Sequence, residues 1–204
     1  MASAVLVFYL REKNMFDNKN RLESQASRKR YLYGKQVEDK IVKSLETYGL
    51  VFEDVDRNTD CYDKIDRYLV VEGGKKACQI KCRMSYSGDD ILIDIYEPFM
   101  GIDSSDTRPG RDYIGKYEVY IVLAKDGKTI RVIDGFRQKE VIEAVLKEWS
   151  GNHHQLPVFN SKLYPGCQLR YTTDRNNNRP KVLMFINPSI YVEGKEIKLY
   201  EMKD

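Results

Sequence analysis

Three polar residues of types that suit metal-dependent phosphate chemistry fall close together in the middle of the chain. Asp66 lies near the start of the segment IDRYLVV, and Gln79 and Lys81 belong to the later segment KKACQIKCR. A carboxylate and a neutral carbonyl oxygen are hard ligands for Mg²⁺, which usually keeps several waters of its own. A lysine beside such a cation can position or deprotonate a water and stabilise developing negative charge. These residue types indicate hydrolysis of a phosphodiester with the help of a divalent cation.

A β-hairpin would bring these residues together. The dipeptide Gly73-Gly74 separates two β-prone runs and predicts a two-residue turn, because glycine tolerates positive φ at both central positions. Counting outward from Glu72 opposite Lys75 places Asp66 opposite Lys81. Since side chains alternate along a strand, one face is expected to be apolar core and the other to carry the chemistry. The predicted core face holds Leu69, Val71, Cys78, Ile80 and Cys82, and the predicted polar face holds Asp66, Tyr68, Gln79, Lys81 and Arg83.

Helical periodicity precedes the hairpin. In the segment GKQVEDKIVKSLETYG, the apolar residues Val37, Ile41, Leu45 and Tyr48 recur at spacings of 4, 4 and 3, and Gly49 stands where a C-terminal cap belongs. Glu38 lies near the amino end of this helix, from where it could complete the acidic shell of the metal site. A glutamate near a helix start also has a structural explanation, because the helix dipole favours it there.

The secondary-structure signals in the sequence change near residue 150. Before it come a strand at ILIDIYEPF, a hairpin turning at Asp126-Gly127 and an amphipathic helix at RQKEVIEAVLKEW, and this order predicts an α/β fold with helices around one mixed sheet. After it come loop signals and two short β-like runs, KVLMFI and KEIKLYEM. We therefore expect a core at residues 1–150 and, at 151–204, a β-rich C-terminal extension packed on the same domain.

Composition limits the class of protein. The chain has 204 residues, of which 42% are hydrophobic and 32% charged, so wholesale disorder is excluded. No stretch approaches the roughly 20 apolar residues of a membrane span, and a cytoplasmic location is expected. Four cysteines suggest free thiols in a reducing compartment, with Cys78 and Cys82 packed in the core rather than binding metal. The net charge of +3 does not by itself indicate a nucleic-acid binder.

These motifs, taken together, resemble the PD-(D/E)xK nuclease superfamily, which includes restriction enzymes, Holliday-junction resolvases and Mrr-like enzymes. The matching pieces are Gly34 to Glu38 in GKQVE, Asp66, and Gln79-Ile80-Lys81 in CQIKCR, within a resemblance that spans roughly residues 30 to 149. Most members carry Asp or Glu where this chain has Gln79, although Mrr-like relatives also use Gln. Ile65 stands where the proline of the superfamily name would precede the aspartate.

The resemblance implies a restriction-endonuclease-like fold and a Mg²⁺-dependent DNA endonuclease, with Mn²⁺ as a possible substitute. Glu38, Asp66, Gln79 and the main-chain oxygen of Ile80 would be metal-site residues, and Lys81 the catalytic lysine. Many enzymes of this type are homodimers because two strands need two sites, and a bacterial or viral source is expected. The alternative is a nuclease-derived DNA-binding or assembly protein with too weak a site for catalysis. A third is an α/β protein with no nucleic-acid role.

Several charged residues keep two interpretations open. Asp66 and Lys81 could form a plain ion pair on an exposed sheet face, and Asp63 competes for the aspartate role. Asp89, Asp90 and Asp94 could touch a second metal or form a solvated acidic loop. Two basic groups could grip DNA phosphates or be solvated surface. The first consists of Arg28, Lys29, Arg30 and Lys35 with Tyr31 and Tyr33 between them, joined by Arg83 from the hairpin, and the second of Arg170, Arg175, Arg179 and Lys181.

Overall fold

The predicted helix before residue 49 forms α1, residues 31–46, and its end is fixed by a glycine cap. The amide of Gly49 donates to the carbonyl of Glu46 at 3.0 Å, and the amide of Leu50 donates to the carbonyl of Leu45 at 3.4 Å. These are the two hydrogen bonds of a Schellman motif. Gly49 has φ of +84°, a conformation that glycine adopts without steric cost, so its predicted role as the cap is confirmed.

The computed structural model describes residues 29, 31–56, 65–82, 89–98, 107–109, 116–149, 158–173, 180–193 and 196–203. The chain divides into two compact units, Met1–Lys40 and Ile41–Asp204. In the first unit, the described residues are helical and Lys35 pairs with Glu38, with 2.9 Å between Nζ and Oε2.

Six strands of the second unit form a mixed sheet. They are β1 (Val51–Asp54), β2 (Arg67–Val71), β3 (Gly74–Cys82), β6 (Val119–Leu123), β7 (Thr129–Asp134) and β11 (Ile197–Glu201), hydrogen-bonded in the order β1-β2-β3-β6-β7-β11. The pair β3 and β6 is parallel, and the other four neighbouring pairs are antiparallel. The prediction of an α/β fold with a mixed central sheet is confirmed.

A second, antiparallel sheet corrects the expectation that the elements surround one sheet. It consists of β4 (Ile91–Pro98), β5 (Thr107–Pro109), β8 (Val158–Asn160), β9 (Cys167–Thr173) and β10 (Pro180–Ile186), in the order β5-β4-β10-β9-β8. Strand β4, predicted as ILIDIYEPF, pairs with β10 rather than joining the first sheet. Residues after 150 thus contribute strands to both sheets, together with a short helix, α3 (Ser189–Glu193).

The main core is shared by the first sheet, the second sheet and helix α2 (Gly135–Trp149). The predicted face of α2 is confirmed, since Val141, Val145 and Trp149 are buried and Leu146 is partly buried against them. Each buried aliphatic side chain stabilises the fold by about 1.5 to 3 kcal/mol relative to its exposed state. The first sheet contributes Tyr120, Val122 and Ile133, and the second sheet contributes Ile91, Ile93, Ile95, Leu169, Val182, Met184 and Ile186.

Helix α2 begins at a close contact with the chain before β6. The carboxylate of Asp134 accepts hydrogen bonds from the amides of Phe136 and Arg137 at 2.9 and 3.0 Å, which is an N-cap. Gly135 follows it, and a Cβ at this position would lie 2.7 Å from the carbonyl carbon of Glu118. The hairpin of β6 and β7 and the helix can therefore meet only because residue 135 has no side chain. No helix in the described part of the chain is long and apolar enough to cross a membrane.

Candidate active site

The hairpin predicted to carry the site is present, but its turn lies one residue earlier than predicted. Strand β2 ends at Val71, which pairs with Gly74, so the turn residues are Glu72 and Gly73. Gly73 has φ of +83°. Because this turn takes its glycine at the second central position, Gly74 begins the next strand instead of completing the turn. The predicted pairing of Glu72 with Lys75 is therefore wrong.

The observed register is shifted by two residues from the predicted one. Tyr68 pairs with Ala77 instead of Gln79, and Arg67 pairs with Cys78. A shift of two keeps every side chain on its original face, because side chains alternate with a period of two. Tyr68, Gln79 and Lys81 therefore share one face, as predicted, and the opposite face carries Cys78 and Ile80, both buried.

Asp66 lies just before β2 and forms hydrogen bonds with β3 through both its backbone amide and its carboxylate. Its amide donates to the carbonyl of Cys78 at 2.8 Å, and its Oδ2 accepts a hydrogen bond from the amide of Ile80 at 2.7 Å. Only 8% of Asp66 is exposed. The predicted place of Asp66 opposite Lys81 is thus replaced by a charge-assisted hydrogen bond to Ile80. This burial disfavours the interpretation of Asp66 as half of an exposed surface ion pair.

The main chain of Ile80 points toward Asp66. Ala77 accepts a hydrogen bond from the amide of Glu118 at 2.8 Å on the β6 side, so alternation turns the peptide groups of Gln79 and Lys81 toward β6. The peptide groups of Ile80 point the other way, as its hydrogen bond to Asp66 shows. The carbonyl oxygen of Ile80 and the carboxylate of Asp66 therefore lie on the same side of β3.

Gln79 and Lys81 occupy neighbouring rows of the mixed sheet. Gln79 is 2% exposed and pairs with Tyr120, which belongs to the main core. Lys81 is half-buried and pairs with Val122. Asp66, Gln79, Ile80 and Lys81 thus lie at one end of the hairpin, which brings together a carboxylate, an amide oxygen, a main-chain carbonyl and an ammonium group.

Glu38 belongs to the first compact unit, whereas the four hairpin residues belong to the second. Its predicted contribution to the metal site therefore stays a prediction, and the candidate site consists of residues of the second unit. Asp63, the competing aspartate, lies outside the described residues. Within those residues, no group of three or more His, Cys, Asp or Glu side chains is arranged to hold a metal ion.

The predicted DNA-contacting residues are placed only in part. Lys29 is helical and exposed, Lys35 forms the ion pair with Glu38, and Tyr31 and Tyr33 are exposed by 61% and 47%. The first group's arginines, Arg28, Arg30 and Arg83, lie outside the described residues, as do Arg175 and Arg179 of the second.

The rest of the second basic group lies on the outer side of the second sheet. Arg170 stacks over the ring of Phe185 with 4.4 Å from its guanidinium carbon to the ring centroid. Lys181 pairs with Asp94, with 2.9 Å between Nζ and Oδ1. Asp94 is therefore a buried member of β4 and not part of a solvated acidic loop.

Arg131 is a buried charged residue on the candidate face that the sequence analysis missed. It pairs with Val122, which in turn pairs with Lys81, so the two cations lie in one row of the sheet. Its guanidinium donates to the main-chain oxygen of Asp89 at 2.8 Å and to Oδ2 of the same residue at 2.6 Å. The detectable signal was an arginine between Ile130 and Val132 in the strand TIRVID. Asp89 is thus an ion-pair partner of this arginine.

In the described part of the chain, Cys78 and Cys167 are fully buried, and their thiols are not suited to metal binding. Burial raises the pKa of the Cys78 thiol to about 12, and the nearby carboxylates of Glu118 and Asp66 act in the same direction. Burial likewise raises the pKa of Cys167 to about 12. Both thiols stay protonated at neutral pH, whereas a cysteine ligand must be a thiolate. The prediction that Cys78 packs in the core is confirmed; Cys82 is half-buried.

Comparison of the chain with protein-family models, with curated proteins and with solved structures gives no match.

Proposed function

We propose that the protein is a metal-dependent DNA endonuclease whose site is formed by Asp66, Gln79, Ile80 and Lys81. One observation carries the proposal. The carboxylate of Asp66 accepts a hydrogen bond from the amide of Ile80 at 2.7 Å, and Ile80 belongs to strand β3, which presents Gln79 and Lys81 on one face. The hairpin thereby places an acid, two neutral oxygens and a cation close together.

The oxygen donors of this hairpin suit a hard divalent cation. The carboxylate of Asp66, the side-chain oxygen of Gln79 and the carbonyl of Ile80 would hold Mg²⁺ or Mn²⁺, with waters in the remaining positions. The cation supplies Lewis-acid stabilisation of the phosphate charge when bound. Lys81 then orients the attacking water by hydrogen bonding and stabilises the negative charge that develops on the phosphate oxygens.

The burial of these polar groups supports a functional explanation. An unsatisfied buried polar group costs about 1 to 3 kcal/mol, and even a satisfied one contributes less than an apolar side chain would in a core. Gln79 stands on a strand whose neighbours Ala77, Cys78 and Ile80 are all buried. A leucine at position 79 would stabilise the fold at least as well. The amide side chain therefore favours a functional role for this position.

The test is a cleavage assay with the full chain on supercoiled plasmid, linear duplex, single-stranded DNA and a four-way junction, each with Mg²⁺, Mn²⁺ or EDTA. We expect cleavage that needs the metal and is lost in Lys81→Ala. Lys75→Ala is the matched control, because Lys75 lies on the same strand in an exposed ion pair with Glu53. Equal cleavage by wild type and Lys81→Ala would refute the assignment of the site.

A second candidate is a nuclease-derived DNA-binding or assembly protein without catalysis. The observation that favours it is the neutral side chain of Gln79, which leaves Asp66 as the carboxylate of the hairpin site. Under this alternative, the chain binds DNA with an affinity that falls as salt rises, while none of the four substrates is cut. The same assay, combined with a salt titration of DNA binding, separates the two candidates.

A further inference from the structure

A groove of about 540 Å³ lies on the face of the mixed sheet opposite Gln79 and Lys81. Strand register places Leu69, Val119 and Val132 on its floor, on the same face as Cys78 and Ile80. Leu50 and Tyr200 also line it, and the Tyr200 ring is oriented by an edge contact with Tyr48 at 5.2 Å between centroids. Its volume falls within the roughly 300 to 1,000 Å³ of small-molecule sites. The groove is large enough for an organic ligand with a flat apolar part.

Two lysines in this groove have no partner among the described residues. Lys76 comes from β3 and Lys198 from β11, and neither side chain forms a hydrogen bond or an ion pair with the described part of the chain. Lys75, one residue before Lys76 and on the other face, instead pairs with Glu53. The two lysines are three strands apart, roughly 14 Å across the sheet, and four residues apart along the strand direction, roughly 13 Å more. They place an ammonium group at each of two ends of the groove.

The carboxylates that line the groove are already engaged at one oxygen. Glu118 accepts a hydrogen bond from the amide of Ala77 at 3.1 Å, and Asp134 caps helix α2. Glu196 pairs with Arg137 at 3.1 Å. These bonds fix the three carboxylates in place, and the charge of Glu196 is offset by Arg137, whereas Glu118 and Asp134 keep their negative charge. Each still has a second oxygen, which can accept hydrogen bonds from hydroxyl or amino groups of a ligand.

We propose that this groove binds a nucleoside phosphate. The base would lie against the apolar floor and the Tyr200 ring, because aromatic side chains and flat aliphatic surfaces stack well on nucleobases. The carboxylate oxygens would accept hydrogen bonds from sugar hydroxyls, and a lysine ammonium would hold the phosphate as a point charge. The ligand is thus recognised by three features that occur together in nucleotides. This site is separate from the proposed nuclease site and does not depend on it.

The test measures binding of AMP, GMP, CMP and UMP to the full chain by isothermal titration calorimetry, with adenosine and inorganic phosphate as partial ligands. We expect at least one nucleotide to bind, and adenosine and phosphate to bind about tenfold more weakly or worse, because each lacks one set of contacts. One of the two lysines holds the phosphate, and its replacement by glutamine, in Lys76→Gln or in Lys198→Gln, is expected to weaken nucleotide binding about tenfold. Lys75→Gln is the matched control and should bind like wild type.

Two results would overturn the nucleotide site. One is the absence of binding by all four nucleotides at millimolar concentration. The other is binding that both lysine variants leave unchanged, which would place the ligand elsewhere. DNA cleavage by Lys76→Gln and Lys198→Gln, measured in parallel, should equal that of wild type, so failure of the nuclease proposal and failure of the nucleotide site give different results.

Discussion

Two hairpins of the mixed sheet lie side by side, through the pairing of β3 with β6, and they bury different kinds of residue. In the hairpin of β6 and β7, all five residues of β6 are buried, Ile130 and Ile133 on β7 are buried too, and the buried Arg131 is ion-paired with Asp89. In the hairpin of β2 and β3, the buried set includes Asp66 and Gln79. Core residues stabilise a fold, whereas buried polar groups need compensation. The difference indicates that the hairpin of β6 and β7 serves mainly the fold, whereas the hairpin of β2 and β3 gives up some stability to hold a carboxylate and an amide.

Asp66→Asn is expected to have the largest effect on function and a small effect on stability. Asparagine keeps an oxygen that can accept the hydrogen bond from Ile80 but loses the charge that would hold the metal. We predict that DNA cleavage falls by about 100-fold or more, of the order seen when one transition-state contact is removed. The free energy of unfolding, measured with urea, should change by about 1 kcal/mol at most. If Asp66→Asn cleaved DNA at the wild-type rate, the functional role of the hairpin of β2 and β3 would be wrong.

Ile121→Ala tests the other hairpin and should show the opposite pattern. Ile121 is fully buried on β6, and its truncation removes buried surface and leaves a cavity. The free energy of unfolding should fall by about 2 to 5 kcal/mol. Leu199→Ala is the control, because Leu199 is 60% exposed and should change stability by roughly 0.5 kcal/mol or less. If Ile121→Ala abolished cleavage without a loss of stability, the division of roles would be wrong.

Gly135→Ala tests the close contact between the β6 and β7 hairpin and helix α2. The new methyl group would meet the carbonyl of Glu118 at under 3 Å, so the helix start must move. We predict a loss of about 1 to 3 kcal/mol in the free energy of unfolding. Gly74→Ala is the matched control in the other hairpin, since a Cβ there meets nothing within 4 Å. Equal effects of the two substitutions would contradict the packing described for Gly135.

The smallest expected effect concerns the turn between β6 and β7. Hydrogen bonds from the Thr129 hydroxyl and amide, and from the amide of Lys128, lower the pKa of Asp126 below its ordinary value of 3.8. Because the folded pKa is the lower one, this stabilisation is present above about pH 3.8 and is lost as pH falls toward the folded pKa.

Asp126 is mostly exposed, so its contribution should be under about 1 kcal/mol. Asp126→Asn should therefore show a shallower loss of stability between pH 5 and pH 2 than wild type, measured by urea unfolding at each pH. Identical pH profiles would show that this carboxylate does not contribute to the turn.

Local patterns in the sequence predicted the elements, whereas partners across the fold could not be predicted. The cap at Gly49 and the buried face of α2 depend on neighbouring residues, and both were correct. Strand β4 shows by its alternation which residues face the core, but nothing in it specifies β10 as its partner. The second sheet was missed because that pairing depends on residues far along the chain.

The candidate site, too, could be predicted only where it depends on local pattern. The shared face of Gln79 and Lys81 followed from alternation, which a shift of two residues does not disturb. The contact of Asp66 with Ile80 could not be predicted, because two adjacent glycines are compatible with two turn positions. Arg131 was missed because the sequence does not show that β7 lies two strands from Lys81.

Metal binding tests the central claim most directly. Mn²⁺ titrated into wild type and Asp66→Asn by isothermal titration calorimetry should bind to wild type at least about tenfold more tightly, since the variant lacks the charged ligand. Loss of Mn²⁺ binding in a variant that unfolds at the wild-type urea concentration would show that the hairpin holds the cation. Equal Mn²⁺ affinity in the two proteins would contradict the account and place any metal elsewhere.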